Sequence, residues 1–408
     1  MKCLRNPFNK YRQKSMERDG MRIAIWIVEI LFLVVLIFAF VFSFKADAGE
    51  VIDTIAVGDG PIGIAITPNG SYVYVTNQND HTVSVIRTSD NTAVATISVG
   101  DYPRGIVVTP NGSYVYAGSN PLSVIRTSNN TVIDTISLSG NSQGMAITPN
   151  GNYVYVTHSV LGNMLVIRTS DNTVVDSIFV DDYPTFIAIT PNGSYVYVTK
   201  WYYDNVKMIR TSDNIVVDTF SVGNNPHGIA VNPNGIYAYV ANLMDYTVSV
   251  IRTSDNTVID TIYVGDGPMG IAVNPNGSYA FVTNSYVDTV SVIRTSDNTV
   301  IDTISVGDGP QAIAVTPNGN YVYVANFNAG TVSVIDADAV PSCDISGDGV
   351  ITPVDALCAF QRYLQICPTN CGPCQEINCD VTGDTVCTPA DALEIFKEYL
   401  GQPSVCSS

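Results

Sequence analysis

The sequence repeats one short phrase, Thr/Asn-Pro-Asn-Gly, and its spacing limits the fold more than any other feature. The phrase begins at residues 67, 109, 148, 190, 232, 274 and 316, so the spacings are 42, 39, 42, 42, 42 and 42 residues. A period near 42 indicates a repeat architecture in which each copy forms one supersecondary unit. We therefore predict seven like units between residues 51 and 340.

Each period contains four segments typical of β-strands. In the sixth copy they are MGIAVN (269–274), SYAFVTN (278–284), TVSVIRT (289–295) and TVIDTISV (299–306). They are rich in β-branched and aromatic residues and are bounded by Gly, Pro, Asn or Asp. No helical periodicity separates them. Four antiparallel strands repeated seven times predict an all-β, seven-bladed β-propeller.

The two ends of the array complement each other. The segment VIDTIAV (51–57) is a fourth-type strand with no blade before it, and TVSVIDA (331–337) is a third-type strand with no fourth strand after it. We expect the first segment to complete the last blade, because this closure removes the exposed edges of an open array.

The phrase YVYVTN (72–77) recurs in close copies beginning at residues 114, 153, 195, 237, 279 and 321. Together with VIDTISVG, it resembles the YVTN-family propeller repeats of archaeal and bacterial surface proteins. The resemblance covers residues 51–337. It implies an extracellular propeller, often associated with a surface layer, and implies no particular reaction.

The chain departs from that family at the end of the third strand, where it has Arg in place of the usual Asp. Five of these arginines are followed eight residues later by Asp, as in Arg126 and Asp134. We expect each such pair to oppose across a short turn and to form an exposed ion pair worth roughly 0–1 kcal/mol.

Antiparallel connectivity predicts two rims of different character. The constant rim carries the first–second turns (PNG) and the third–fourth turns (TSDN), which suit hairpins because Asn and Gly accept positive φ. The variable rim carries the fourth–first and second–third loops. Its exposed aromatics form a candidate face for a glycan or a protein partner, comprising Tyr102, Tyr183, Trp201, Tyr202, Tyr203, Tyr246 and Tyr286.

The residues that open the first strands should surround the mouth of the central channel at the variable rim. They comprise six residue types in seven blades, so the ring could form a small-ligand pocket or a plain plug of side chains and water. The seven are Ile62, Arg104, Gln143, Thr185, His227, Met269 and Gln311.

Five glycosylation sequons fall on the constant rim, at Asn69, Asn111, Asn129, Asn192 and Asn276. The sequence NGS also makes a good hairpin turn, so turn chemistry alone explains most of them. Modification is still expected on an exported chain.

The N-terminus has the pattern of a membrane anchor or signal sequence. A basic segment (1–20), expected in the cytoplasm, precedes an apolar one (21–44), whose 22-residue run from residue 23 spans about 33 Å as a helix. The basic flank should remain inside, which places the bulk of the chain outside the cell. An uncleaved single span is the preferred prediction. Ala46-Asp47-Ala48 resembles a cleavage site, and cleavage after Ala48 would give a secreted protein.

The charge balance argues against nucleic acid as a partner. The formal net charge is −18, although only 14% of residues are charged. Such an acidic chain repels phosphate backbones, and its acidity suits solubility outside a cell.

The segment 341–408 contains two copies of a calcium-loop pattern. DISGDGVITPVD (344–355) and DVTGDTVCTPAD (380–391) are each followed by a short helical sequence. The predicted oxygen ligands occupy EF-hand positions, with the two valines contributing their carbonyl groups. They are Asp344, Ser346, Asp348, Val350, Thr352 and Asp355 in the first loop, and Asp380, Thr382, Asp384, Val386, Thr388 and Asp391 in the second.

This duplicated loop-plus-helix, with Asp at the twelfth position, is similar to a type I dockerin. The resemblance covers 344–400 and implies a small α-helical domain that holds two Ca²⁺ ions and binds a cohesin module. Thr385 replaces the glycine at the bend of the second loop, so that site is expected to be weaker.

Eight of the nine cysteines lie between residues 343 and 406, which predicts up to four disulfides in this exported segment. Zinc binding and redox chemistry at CGPC (371–374) are the less favoured alternatives.

Together these features favour a non-enzymatic surface or secreted protein, whose propeller displays a ligand face and whose tail attaches to a cohesin. We place the three histidines, His81, His158 and His227, in blades one, three and six, too far apart for a shared metal or catalytic dyad. The alternatives are a polysaccharide-active enzyme or lyase, and a purely structural surface-layer subunit.

Overall fold

The computed structural model describes residues 49–138, 142–158 and 161–337, and these residues form twenty-eight β-strands. Short Gly, Asn, Asp and Pro turns separate the strands, as the repeat predicts. In chain order they are β1 (Val51–Ala56), β2 (Pro61–Ile66), β3 (Tyr72–Asn77), β4 (Thr82–Arg87), β5 (Thr92–Ser98), β6 (Ile106–Val108), β7 (Tyr114–Ala117), β8 (Leu122–Arg126), β9 (Thr131–Ile136), β10 (Ser142–Ile147), β11 (Tyr153–His158), β12 (Asn163–Arg168), β13 (Thr173–Phe179), β14 (Pro184–Ile189), β15 (Tyr195–Lys200), β16 (Asn205–Arg210), β17 (Ile215–Ser221), β18 (Pro226–Val231), β19 (Tyr237–Asn242), β20 (Thr247–Arg252), β21 (Thr257–Tyr263), β22 (Pro268–Val273), β23 (Tyr279–Asn284), β24 (Thr289–Arg294), β25 (Thr299–Ser305), β26 (Pro310–Val315), β27 (Tyr321–Asn326) and β28 (Thr331–Asp336).

The strands form seven four-stranded antiparallel sheets, which confirms the predicted seven-bladed propeller. Blades 1 to 6 are β2–β5, β6–β9, β10–β13, β14–β17, β18–β21 and β22–β25. Blade 7 has the order β1-β28-β27-β26. The first strand of each blade lies innermost, and these inner strands contact one another around the central channel.

Closure of the ring follows the predicted route. Strand β1 pairs antiparallel with β28, with Thr54 opposite Ser333 and Ala56 opposite Thr331. The amide of Asp336 donates to the carbonyl of Glu50 at 3.2 Å. The first and last described strands therefore begin and end side by side on the constant rim.

The core consists of seven apolar clusters, and each one lies between two adjacent blades. The cluster between blades 5 and 6, for example, packs Val248 and Val250 against Val282 and Ile293. The cluster between blades 7 and 1 includes Ile55 of the closing strand. Because every blade face is covered by a neighbour, the valines and isoleucines of the second and third strands are fully buried.

The predicted cross-strand Arg–Asp pairs are wrong. Arg168 pairs with Asp171, three residues later in the same turn, at 2.6 Å. A register shift after Val166 places Thr173 opposite Arg168 and leaves Asp176 opposite Val166. The carboxylate of Asp176 instead accepts a hydrogen bond from an asparagine of the next blade.

Several predictions fall outside the described residues. These are the basic segment 1–20, the apolar segment 21–44 and the cleavage site after Ala48, together with the whole segment 341–408, its calcium ligands and its cysteines. Within residues 49–138, 142–158 and 161–337, no helix is long and apolar enough to cross a membrane.

Candidate functional site at the channel and the variable rim

The seven residues predicted to surround the channel mouth line a single cavity of about 420 Å³. In six blades the ring residue is the second residue of the first strand, and in blade 2 Arg104 lies just before that strand. The pairing of most first strands is irregular at this position. Seven side chains of six types therefore converge on one space, as the sequence predicted.

Glycines next to the ring allow neighbouring blades to approach closely. A Cβ atom on Gly63 would lie 2.0 Å from the carbonyl oxygen of Arg104, and one on Gly228 would lie 2.3 Å from that of Met269. No side chain fits at such distances. These glycines therefore set how tightly the inner strands surround the cavity.

The threonine of the YVYVTN phrase, in the second strand, forms hydrogen bonds to the backbone of the channel ring. Thr76 Oγ1 accepts a hydrogen bond of 2.9 Å from the amide of Gly63 and donates one of 2.7 Å to the carbonyl of Arg104. Thr199 likewise donates to the carbonyl of His227 at 2.7 Å. Each of these hydroxyls joins one blade to the backbone of the next ring residue.

Arg104 is the positively charged group of the channel lining. Its Nη1 donates to Oε1 of Gln143 at 2.8 Å, and burial lowers its pKa. Among the described residues that line the cavity there is no Asp or Glu. The lining therefore supplies a guanidinium without a carboxylate to neutralise it.

His227 shares the cavity with Arg104, and it lies in blade 5 rather than blade 6, because its strand β18 opens the fifth sheet. Burial, and to a smaller extent the charge of Arg104, lower the pKa of His227 to about 4. Its ring packs against Phe186, with centroids 4.8 Å apart. At neutral pH the imidazole is therefore uncharged. Its Nδ1 is buried and makes no hydrogen bond to any described residue.

Trp201, predicted as part of the exposed face, instead lines the channel. Its indole Nε1 is buried and has no hydrogen-bond partner within the described part of the chain. The loop carrying Trp201 connects β15 to β16, so no strand alternation determines its orientation, and no sequence signal indicates that it turns inward.

Tyrosines beside Trp201 form a compact cluster on the surface of blade 4, which we call the aromatic patch (Tyr183, Trp201, Tyr202 and Tyr203). The ring centroid of Tyr202 lies 5.7 Å from that of Tyr183, 6.4 Å from that of Trp201 and 6.3 Å from that of Tyr203. The side chain of Tyr202 is 70% exposed. The patch thus presents aromatic surface at the edge of the channel mouth.

Lys200 is a buried residue that contacts the aromatic patch from the protein interior. It occupies the position that Asn fills in four other blades, and its Nζ donates to the carbonyl oxygens of Asp181 and Asp182. The same nitrogen lies 5.3 Å from the ring centroid of Tyr203. The side chain is fully buried, and burial lowers the pKa of Lys200 to about 8.

The other predicted aromatics are exposed but belong to separate blades. Tyr102 packs against His81 with centroids 5.0 Å apart, whereas Tyr246 and Tyr286 lie on the loops of blades 5 and 6. At the variable rim, sequence reasoning missed two exposed aromatics, Phe179 and Tyr263. Both end a fourth strand, where alternation around the buried isoleucine before them could have placed them outward.

The five sequon asparagines are exposed on the constant rim, as predicted. In the four NGS turns the Asn side chain accepts a hydrogen bond from the serine amide two residues later, as in Asn69 and Ser71 at 3.0 Å. Turn formation is thus a sufficient reason for these residues, and glycosylation stays a prediction. Across the described residues, no group of three or more His, Cys, Asp or Glu side chains could hold a metal ion.

Comparison with known proteins supports the fold and leaves the function open. The family model described as Lactonase, 7-bladed beta-propeller, matches residues 53–131 and 219–342, just under half of the chain. No curated protein matches. The structure is similar to that of the hydrazine synthase of Kuenenia stuttgartiensis, with 21% identity and a TM-score of 0.64, over 69% of this chain and 96% of that one. At this identity, and with 1781 matching chains of solved structures, the likeness indicates the fold alone.

Proposed function

We propose that this chain is an exported binding protein. Its propeller presents the variable rim to an extracellular ligand, and its C-terminal segment attaches it to a cohesin module in the presence of calcium. The observation that carries the first part is the aromatic patch on blade 4, in which exposed tyrosine rings lie together at the edge of the channel mouth.

The aromatic patch suits a carbohydrate. Sugar rings stack on exposed aromatic faces, while polar groups nearby bind the hydroxyls. Beside Tyr202 a shallow groove of about 280 Å³ is lined by Asp204, Asn224, Asn225 and Met244. Aromatic surface and amide or carboxylate groups thus lie together.

A glycan array probed with the full chain tests this proposal. Tyr202→Ala and Tyr203→Ala should each lower the signal on the preferred glycan by about tenfold, since a stacked aromatic ring contributes roughly 1 kcal/mol or more. Tyr153→Ala, at an exposed tyrosine of the constant rim, is the matched control and should bind as the wild type does. Silence on every glycan would overturn the carbohydrate reading, and capture of a surface protein through the patch would replace it.

The dockerin part of the proposal rests on the two calcium-loop sequences and implies Ca²⁺ as cofactor. Full-length protein should bind a cohesin module in calcium and lose it when a chelator is added. Asp344→Ala and Asp380→Ala should each remove one of two bound calcium ions. Cohesin binding that persists in chelator, or no calcium uptake at all, would end this interpretation.

The same proposal places the protein at the cell surface, anchored through 21–44, or secreted if it is cleaved after Ala48. Glu50 and Asp336 lie side by side on the constant rim, which would direct the variable rim away from the membrane. On intact cells, variable-rim tyrosines should then react with a surface probe faster than constant-rim residues. Equal labelling would contradict this orientation.

An enzyme is the second candidate, and the match to a lactonase propeller model favours it. The channel offers Arg104 to polarise a carbonyl group and His227 as a neutral imidazole. A screen of the full chain against lactones and polysaccharides separates the candidates. Turnover abolished by His227→Gln would support an enzyme, and binding without turnover would support display. Silence in both assays would leave a structural surface-layer subunit.

A further inference from the structure

The proposed binding function rests on the surface of blade 4 and does not use the central channel, which only the enzymatic candidate involves. The channel nevertheless has the features of a built site. Its cavity of about 420 Å³ lies within the range of small-molecule pockets, roughly 300–1,000 Å³.

Arg104 is the first part of this site. A guanidinium has five N–H donors, and the hydrogen bond to Gln143 accounts for one of them. A partly buried cation with no carboxylate beside it is costly, and in proteins such charges are normally paired. Since the described lining contains no Asp or Glu, a ligand is the remaining source of a negative charge.

Two further nitrogen atoms face the same requirement. His227 Nδ1 and Trp201 Nε1 are buried, line the same cavity and have no hydrogen-bond partner among the described residues. Buried polar atoms are rarely left unpaired. An acceptor oxygen in the channel would satisfy the indole N–H of Trp201, and the His227 imidazole in its Nδ1–H form, once these side chains turn to expose the nitrogens to the cavity.

The rest of the wall is apolar. Ile62, Met269 and Phe186 line the cavity together with the inner-strand isoleucines. Such a wall suits a hydrocarbon or aromatic body, whereas it gives little to a hydrated inorganic anion.

We propose that the channel binds a small organic carboxylate, whose carboxylate group contacts Arg104 and whose apolar body lies against Phe186, Met269 and Ile62. Arginine suits this role because its planar fork matches a carboxylate in two parallel hydrogen bonds. The net charge of −18 opposes approach of polyanions, so a monovalent acid is favoured.

Benzoate and benzamide are matched probes for this proposal, because they have nearly the same shape and differ in charge. The full chain with Trp26→Phe leaves Trp201 as the sole tryptophan, so its fluorescence reports on the channel. Benzoate should change this fluorescence and bind at least about tenfold more tightly than benzamide. Inorganic phosphate should bind weakly.

Arg104→Gln should weaken benzoate binding about 10- to 100-fold, in line with the loss of a charge-assisted hydrogen bond. Arg252→Gln, the same change in a constant-rim turn, should leave it unaltered. Equal affinity for benzoate and benzamide in the parent protein, no benzoate binding, or unchanged affinity in a folded Arg104→Gln protein would each overturn the proposal. Tyr202→Ala should leave benzoate binding intact, which separates this site from the aromatic patch.

Discussion

The hydroxyl of Tyr323 donates a hydrogen bond of 2.8 Å to Oδ1 of Asn91, and this bond joins the last blade to the first. The same bond recurs at four other blade boundaries, where a second-strand tyrosine reaches the third–fourth turn of the next blade. The asparagine adopts positive φ, as in Asn91 (52°), which directs its side chain between the blades. The second Tyr of the YVYVTN phrase and the Asn of the TSDN turn therefore form a recurring hydrogen bond that joins adjacent blades.

One boundary shows what happens when the partner is missing. Blade 6 has Phe281 in place of the tyrosine, and blade 7, which it faces, has no TSDN turn because the sequence there continues as DADAV. Phe281 avoids a buried hydroxyl without an acceptor. At the boundary between blades 5 and 6 the tyrosine is kept, but the hydroxyl of Tyr239 makes no hydrogen bond to a described residue.

Removal of this hydroxyl should destabilise the ring only where it is bonded. Tyr323→Phe should lower the free energy of unfolding by about 1 kcal/mol. Tyr239→Phe is the matched control, because Tyr239 occupies the same position but its hydroxyl makes no hydrogen bond to a described residue. It should be neutral or slightly stabilising. Urea unfolding of both variants provides the measurement, and equal losses would contradict the role of the bond.

A buried asparagine and a glycine are coupled in four blades, and blade 5 gives the clearest test. Asn242 Nδ2 donates to Thr247 Oγ1 at 3.0 Å and to Ser249 Oγ at 2.9 Å. A Cβ on Gly223 would lie 2.6 Å from the side chain of Asn242. The Asn therefore fits only beside a residue without a side chain.

A double-mutant cycle measures this coupling. Asn242→Ala should cost about 2–3 kcal/mol because two hydrogen bonds are lost and a cavity opens. Gly223→Ala should cost about 1–3 kcal/mol from overpacking. The double variant should lose less than the sum, since removal of the Asn makes room for the new methyl group. Strict additivity in thermal unfolding would show that the two positions do not compete for space.

The sequence was sufficient to predict the strands, the seven blades, the closure by β1 and the channel ring. Each of these depends on periodicity, because a repeated pattern fixes which residues share a layer. The segment 289–295 was placed within one residue of the observed strand Thr289–Arg294 for this reason.

The repeat pattern did not predict which side chains pair between neighbouring blades. The eight-residue spacing predicts that Arg168 pairs with Asp176, but the register shift moves that carboxylate away and Asn214 of the next blade donates to it at 2.8 Å. The position of Trp201 in the channel was likewise missed, because a loop residue obeys no alternation rule. A single-sequence pattern specifies the layers of a blade, whereas such pairs depend on how neighbouring blades fit.

As the pH falls, protonation of His227 should lower the free energy of unfolding before the carboxylates of the surface turns have any effect. The pKa of His227 is about 4 in the folded chain and about 6.5 when unfolded, so the unfolded state binds more protons between these values. Its contribution to stability is therefore present above pH 6.5 and is lost as the pH falls toward 4. Arg104 is the charged group that faces it in the channel.

His227→Gln should flatten this part of the stability curve. Denaturant midpoints at pH 7, 6, 5 and 4.5 compare the variant with the wild type. The turn carboxylates give a separate window, because hydrogen bonds from Arg87 and Thr92 lower the pKa of Asp90 to about 2, and its effect appears only below about pH 4. Parallel curves down to pH 4.5 would rule out the predicted role of His227.

At alkaline pH, Lys200 should make the stability of the folded chain rise with pH, as His227 does in acid. The pKa of Lys200 is about 8 in the folded protein and about 10.5 when unfolded, so the unfolded state again binds more protons between these values, and this contribution rises with pH. Lys200→Met leaves the carbonyl groups of Asp181 and Asp182 without their donor, and it should cost about 1–3 kcal/mol at pH 7.

The stability difference between wild type and Lys200→Met should therefore grow from pH 8 to pH 10. Measurements stop at pH 10 because burial raises the pKa of core tyrosines such as Tyr197 to about 12, and their contribution is lost once the unfolded phenols ionise above pH 10. Lys207→Met, which removes the neighbouring partner of Asp181, should keep the rise because the Lys200 ammonium is still present. A constant difference between wild type and Lys200→Met across this range would mean that Lys200 does not release its proton early in the folded chain.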